Sequence, residues 1–206
     1  MLDSRLRPII DPSLNALGTW LAKFGLTANQ VTLAGVLVGI GAGVAIGFRY
    51  YLLGLALLLL SRLFDGLDGA IARATTQSNF GGYLDIVGDF SFYIAVPIGF
   101  GFAVSANLPF ALILVGAFTL TGISFLAYAV LAAKEGRETD AHGNKSFFYN
   151  TGLAEGTETI ITFVLMCLLP QYFAIIAAIY SAMCVVTVIQ RTIAAKLTFL
   201  ELPVRQ

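Results

Sequence analysis

The chemistry-bearing residues of this 206-residue chain are concentrated between Asp65 and Asp89. The run Asp65-Gly66-Leu67-Asp68-Gly69-Ala70-Ile71-Ala72-Arg73 leads through a short polar connection to Gly81, Asp85 and Asp89, so four carboxylates and an arginine lie between two long apolar stretches. On a helix, Asp65 and Asp68 are separated by about 60° around the axis and Asp85 and Asp89 by about 40°, which puts each pair on one face. A hairpin of the two helices would bring all four carboxylates to one membrane–water boundary, where their mutual repulsion demands intervening cations. Oxygen ligands of this kind suit a hard divalent ion. One acidic residue at a helix end is a solvated charge or a cap, but four within apolar segments each carry a desolvation cost that needs an offset. Gly66, Gly69 and Gly81 are poor helix formers and would let backbone and ligand approach closely.

The spacing of Asp65, Asp68, Gly69, Ala72, Arg73, Gly81, Asp85 and Asp89 resembles the signature of the CDP-alcohol phosphotransferases, fixing eight positions within twenty-five residues. Over essentially its whole length the chain is similar to a small bacterial inner-membrane branch of that family. The resemblance implies a divalent-metal enzyme using Mg²⁺ or Mn²⁺, two ions, held by Asp65, Asp68, Asp85 and Asp89. It implies that Asp89 is the base that deprotonates an acceptor hydroxyl, and that Gly69, Ala72, Arg73 and Gly81 surround the CDP moiety of the donor. Asn29 and Thr32, one turn apart at a membrane boundary, are helix caps by default; the resemblance brings them to the nucleotide, with Ala28 standing where the family commonly has proline. The activity implied is transfer of a phosphatidyl or phosphoalcohol group from a CDP-alcohol, CDP-diacylglycerol first, to a hydroxyl acceptor with release of CMP. It also implies a homodimer, with small residues of the third and fourth spans as contacts.

The elements that must position these residues are helices in a membrane. A hydrophobic content of 58% and a mean hydropathy of +0.85 are too apolar for an ordinary soluble domain. The expected architecture is all-α and polytopic: residues 1–28 as a juxtamembrane amphipathic segment, residues 29–206 as a six-helix membrane domain. Leu14, Leu17, Trp20, Leu21 and Phe24 recur at spacings of three and four, predicting an amphipathic helix over about 13–24 that either lies in the headgroup layer among lipid or packs on other helices. The spans are expected at about 31–48, 52–72, 81–104, a fourth from the turn at 106–109 to about 133, then 151–169 and 172–194. The first carries Gly35, Gly39, Gly43 and Gly47 at a strict four-residue repeat, a smooth face for close helix contact. Pro97 is expected to kink the third.

Lys and Arg set the orientation. Arg5, Arg7, Lys23, Arg73, Lys134, Arg137, Lys145, Lys196 and Arg205 fall on one side and Arg49 on the other, so both termini and the carboxylate motif are expected at the cytoplasmic face of a bacterial inner membrane. A formal net charge of zero gives no indication of nucleic acid as a partner. Cys167 and Cys184 sit in apolar runs and read as small buried hydrophobes, and His142 as a solvated loop residue.

A second acidic pair, Glu155 and Glu158, opens the fifth span. It is either a set of helix N-terminal charges favoured by the macrodipole or the lining of an acceptor pocket, together with a basic set of Lys134, Lys145 and Arg191. A competing class, a small ion- or proton-coupled transporter, also uses intramembrane carboxylates, though at the bilayer midplane rather than near its boundary.

Overall fold

In a computed structural model, residues 3–134 and 152–200 are described; Lys145, His142 and the rest of the polar connection between the fourth and fifth spans lie outside them. The described residues form seven α-helices and no strand: α1 Asp3–Lys23, α2 Ala28–Gly47, α3 Tyr51–Ala74, α4 Asn79–Ala103, α5 Leu108–Lys134, α6 Gly156–Leu168 and α7 Phe173–Leu200. Four of the helical segments, Ala28–Gly47, Asn79–Ala103, Ser105–Lys134 and Pro170–Leu200, are long and apolar enough to cross a membrane. Helix α3 has 24 residues but carries the charges of the motif, and α6 has only 13. At 1.5 Å per residue α6 is about 20 Å long, short of a hydrocarbon core of about 30 Å. It begins at residue 156 rather than 151 because the chain from Gly152 to Glu155 is held in a non-helical turn. There Thr187 Oγ1 on α7 accepts hydrogen bonds from the Leu153 and Ala154 amides, both at 3.0 Å.

Helix α2 is the axis on which the motif helices are mounted. A capping box opens it: Thr27 Oγ1 accepts from the Gln30 amide at 3.4 Å and Gln30 Oε1 accepts from the Thr27 amide at 3.1 Å. The cap is therefore Thr27 with Gln30, not Asn29 or Thr32, which lie inside the helix. The glycine repeat packs as its spacing predicts. A Cβ on Gly39 would stand 2.8 Å from Ser61 Oγ of α3, and one on Gly43 would run into the Ala95 backbone of α4. On the opposite face Leu33, Leu37, Ile40 and Val44 are exposed. Small residues inside and large apolar ones outside is the pattern of a helix surrounded by lipid.

The two motif helices do not form a closed hairpin. Each packs along α2, and they make little direct contact with one another. At the far end of the bundle the α2–α3 turn is fixed by Arg49, in the left-handed region at φ +67°, whose Nε donates to the Ala103 carbonyl at the end of α4 over 2.8 Å. Helix α4 runs continuously through Pro97. Helices α5, α6 and α7 complete the bundle around an aromatic core in which Phe100 stacks on Phe173 at 4.6 Å and Phe92 meets Phe163 edge-on at 5.5 Å. Cys167 and Cys184 are buried free thiols in that core. Small residues of α4 and α5 are used within the chain: Gly99 against Gly43, Gly101 against Ala111, Gly122 against the Phe90 ring.

Helix α1 is longer than its amphipathic period suggests, and its apolar face divides in two. Leu14, Leu21 and Ala22 pack with Val31, Leu67 and Ile71, and Gly18 lies so close to α3 that a Cβ there would be 2.6 Å from that of Ala70. Leu17, Trp20 and Phe24 are exposed. The segment thus docks on the motif helix and still presents an aromatic edge outward.

Candidate active site

Three helices meet at a small cleft that all four motif carboxylates line. Helix α2 forms the floor with Thr32, Gly35 and Val36, α3 one wall with Ser61, Arg62, Asp65 and Asp68, and α4 the other with Asp85, Gly88 and Asp89. Convergence is achieved across α2, which separates the walls, so the pairs face one another over a gap instead of meeting in a hairpin seam. Glycine is called for where floor and walls meet: a Cβ on Gly35 of the floor would be 3.0 Å from that of Phe64, and one on Gly88 of the α4 wall would press on Val36. Below the cleft, fully buried Ser61 donates from Oγ to the Gly35 carbonyl at 2.8 Å, tying α3 to α2.

The carboxylates differ in their surroundings. Asp85 is exposed and Asp65 half-buried, whereas Asp68 is buried, with an Oδ2 that has no hydrogen-bond partner. A buried, unpartnered anionic oxygen is costly and marks a position where a ligand would supply the missing contact. Asp89 is paired. Arg62 Nη1 donates to its Oδ1 at 2.6 Å and lies 3.6 Å from Asp65 Oδ1. The same guanidinium reaches Ser61 Oγ at 3.3 Å and lies over the Phe92 ring at 4.0 Å.

Arg62 is the site residue that the motif reading missed. Its signal was present in the sequence: an isolated arginine in an apolar run, three residues before Asp65 and hence on the same face.

As a donor set, four carboxylates with one orphaned buried oxygen fit a hard divalent cation. Among the described residues, no three carboxylates converge on a common point close enough to hold an ion, and Asp65 and Asp89 turn instead toward Arg62.

Of the residues assigned to the CDP moiety, Thr32 lines the cleft, while Asn29, Gly69, Ala72, Arg73 and Gly81 lie outside its lining, toward the start of α2, the end of α3 and the start of α4. Asn29 of α2 and Gly81 of α4 are neighbours, and a Cβ on Gly81 would be 3.1 Å from Asn29 Oδ1. The Gly81 amide donates to Ser78 Oγ at 3.0 Å, capping α4. Gly69 adjoins the Arg73 guanidinium, a Cβ there standing 3.3 Å from Nη1, and Ala72 is half-buried. Arg73 is exposed and donates from Nε and Nη2 to Asn15 Oδ1 of α1, at 3.2 and 2.8 Å.

Of the residues expected near the acceptor, the described ones, Lys134, Glu155, Glu158 and Arg191, are not part of the cleft lining. Lys134 is exposed in the last turn of α5. Glu155 is the N-cap residue of α6, and its Oε1 accepts from the Gly152 amide at 2.9 Å, closing the turn that leads into the helix. Glu158 is in the first turn. Arg191 of α7 donates from Nη1 to the Thr121 carbonyl of α5 at 2.9 Å and lies over Phe125 at 5.5 Å. Helix α6 packs against α3, the helix of Asp65 and Asp68.

Comparison with known proteins places this geometry. The family model described as CDP-alcohol phosphatidyltransferase matches residues 25–197. The chain is 45% identical over 205 residues to the inner membrane protein YnjF of Escherichia coli, covering 98% of each. It is 39% identical over 83 residues to the archaetidylinositol phosphate synthase of Pyrococcus horikoshii, 40% of this chain and 44% of that protein. Crystal structures of the phosphatidylinositol phosphate synthase PgsA1 of Mycobacterium tuberculosis share the fold at 21% identity. The CDP-DAG complex has a TM-score of 0.66 over 89% of this chain and 93% of that one; the manganese and citrate complex has 0.66 over 88% of each. With its signature carboxylates lining one cleft and the family match spanning most of its length, the chain belongs to the CDP-alcohol phosphatidyltransferase family, enzymes that transfer phosphate-containing groups in phospholipid synthesis.

Proposed function

We propose that this protein transfers a phosphatidyl group, or another phosphoalcohol, from a CDP-alcohol to a hydroxyl acceptor with release of CMP, and that CDP-diacylglycerol is the donor. The observation that carries the reading is the cleft in which Asp65, Asp68, Asp85 and Asp89 face one another across α2. The donor is supported by the CDP-DAG bound to a protein of the same fold, and a divalent cation by the manganese complex of that protein.

Divalent cations, Mg²⁺ or Mn²⁺ and two in number, held by the four aspartates would neutralise the pyrophosphate charge as it shifts in the transition state. The protein's own groups do the rest. Asn29, Thr32, Gly69, Ala72, Arg73 and Gly81 hold the CDP moiety. Asp89 takes the proton of the acceptor hydroxyl. The acceptor oxygen bonds to the β-phosphorus, the bond from that phosphorus to the bridging oxygen breaks, and CMP leaves with the bridging oxygen.

The acceptor side is assigned to the region where α5 ends and α6 begins, with Lys134, Lys145, Glu155, Glu158 and Arg191 as candidates. Support comes from the packing of α6 against α3. An uncharged polyol or an amino alcohol suits the acidic pair better than an anionic acceptor. The same reading sets six crossings of a bacterial inner membrane, the short α6 making the fifth together with the turns at its two ends, with both termini and the cleft cytoplasmic, Trp20 at the interface with lipid, and a homodimer.

The test is direct. Purified protein given CDP-diacylglycerol, Mg²⁺ and a panel of polyols and amino alcohols is expected to release CMP with at least one acceptor. No CMP release above the protein-free rate across other CDP-alcohols as well would overturn the reading.

A further inference from the structure

Arg62 is fixed on four sides. Its guanidinium lies 4.0 Å over the Phe92 ring, donates to Asp89 at 2.6 Å, reaches Ser61 Oγ at 3.3 Å and lies 3.6 Å from Asp65. The side chain is 12% exposed. Ser61 is in turn anchored on the Gly35 carbonyl of α2, and Phe92 is fully buried in the aromatic core. Arginine suits such a place because its planar fork stacks on a ring while its edge donates to carboxylates, and because it stays charged. A side chain held this way is a fixture of the cleft and not a mobile arm.

Its position has an electrostatic consequence. Four carboxylates lining one cleft repel one another, and the guanidinium sits between two of them, one from each wall. It cancels one carboxylate charge and bridges α3 to α4 at a level where the helices make little direct contact. A cation entering the cleft then meets a weaker field than the carboxylates alone would give, and shares Asp89 with a resident donor.

We infer that Arg62 is a built-in counter-cation of the carboxylate cleft. It orients Asp89, holds the two walls together in the absence of metal, and weakens divalent-ion binding so that the ion depends on the donor's pyrophosphate for full affinity. The inference rests on the metal-dependent reading above. Arg62 is thus a positioning residue: it acts on the reaction through Asp89 and the bound cation.

The experiment is a Mn²⁺ titration of the full chain in lipid nanodiscs, without nucleotide, followed by electron paramagnetic resonance of free Mn²⁺. Thermal unfolding in EDTA is measured alongside. Arg62→Met keeps an unbranched stem that packs on Phe92 and removes the charge. It is expected to bind Mn²⁺ at least tenfold more tightly than the native protein and to unfold at lower temperature in EDTA, with Mn²⁺ restoring the difference. Arg62→Lys retains the charge and is expected to stay within threefold of native Mn²⁺ affinity.

Unchanged or weaker Mn²⁺ binding by Arg62→Met, or equal affinity of the two variants, would overturn the inference. Should Arg62→Met not fold in EDTA, folding in saturating Mn²⁺ supports the counter-cation role, and failure in both, with Arg62→Lys also unfolded, overturns it in favour of a purely packing role. Native protein that binds no Mn²⁺ even with CDP-diacylglycerol present would instead remove the metal-dependent reading itself.

Discussion

Asp89→Asn separates the chemical role of this residue from its structural one. Its Oδ1 is engaged by Arg62 at 2.6 Å, leaving Oδ2 as the oxygen that can accept a proton. An amide in the same place still offers Arg62 a carbonyl acceptor, so the hydrogen bond survives without its charge. The difference between a charge-assisted and a neutral bond is about 1 kcal/mol, and the 32% exposure of the Asp89 side chain places the stability cost at or below that figure. An amide cannot accept the proton, and loss of a general base costs roughly 10²–10⁴ in rate, or about 3–5 kcal/mol. The kinetic loss is therefore expected to exceed the stability loss severalfold. Three measurements check this: CMP release at saturating donor and acceptor, equilibrium binding of CDP-diacylglycerol, and thermal unfolding. The expected result is turnover down at least a hundredfold with donor affinity within about threefold and little change in unfolding. Turnover at the native rate removes Asp89 from the base role, and a fall in donor binding equal to the fall in turnover makes it a ligand-holding group only.

Four further outcomes are expected. CMP release should cease in excess EDTA and return with Mg²⁺ or Mn²⁺; robust release under chelation would contradict the cation requirement. Gly43→Leu, which drives a side chain into the Ala95 backbone, should destabilise the protein by about 1–3 kcal/mol or more, read as a lower unfolding temperature in detergent. A reporter fused after Gln206 should read cytoplasmic, and a periplasmic signal would break the six-span, both-termini-inside topology. Glu155→Gln with Glu158→Gln, assayed at saturating donor, should raise the acceptor concentration needed for half-maximal rate. Lowered stability with unchanged acceptor dependence would reduce the pair to the turn closure that Glu155 makes with Gly152.

The motif was readable because its chemistry is local. A pair of aspartates at i, i+3 and another at i, i+4 must share helix faces whatever surrounds them, and the four-residue glycine repeat of α2 must present one smooth stripe. Both are found as the spacing dictates. What spacing could not give is the partner of each face. The stripe faces α3 at Gly35, both motif helices at Gly39, where Ser61 and Phe92 approach, and α4 at Gly43, and so the two motif helices are mounted on a third. Likewise the amphipathic period of residues 13–24 marks Leu14, Leu17, Trp20, Leu21 and Phe24 alike as apolar. Only the docking of Gly18 against Ala70 separates those that pack inward from those left exposed. Capping at Thr27 was legible from Gln30 three residues on, a box that competes directly with the default assignment of Asn29 and Thr32.

The two arginines of α3 differ in the partners they are given. Arg62 is matched with acidic partners, Asp89 and Asp65, deep in the cleft. Arg73, three turns further on and exposed, is matched with a neutral one: Asn15 Oδ1 accepts two of its N–H groups. An amide oxygen orients a guanidinium through dipole and hydrogen bond without cancelling its charge, so Arg73 is aimed and still cationic. An exposed group of this kind is suited to an anionic phosphate, while an arginine already neutralised by carboxylates is not. The docking of α1 on α3 is what supplies Asn15. An N-terminal helix that reads in sequence as a membrane-surface segment thereby orients the cation proposed for the nucleotide, and truncating it removes that orientation.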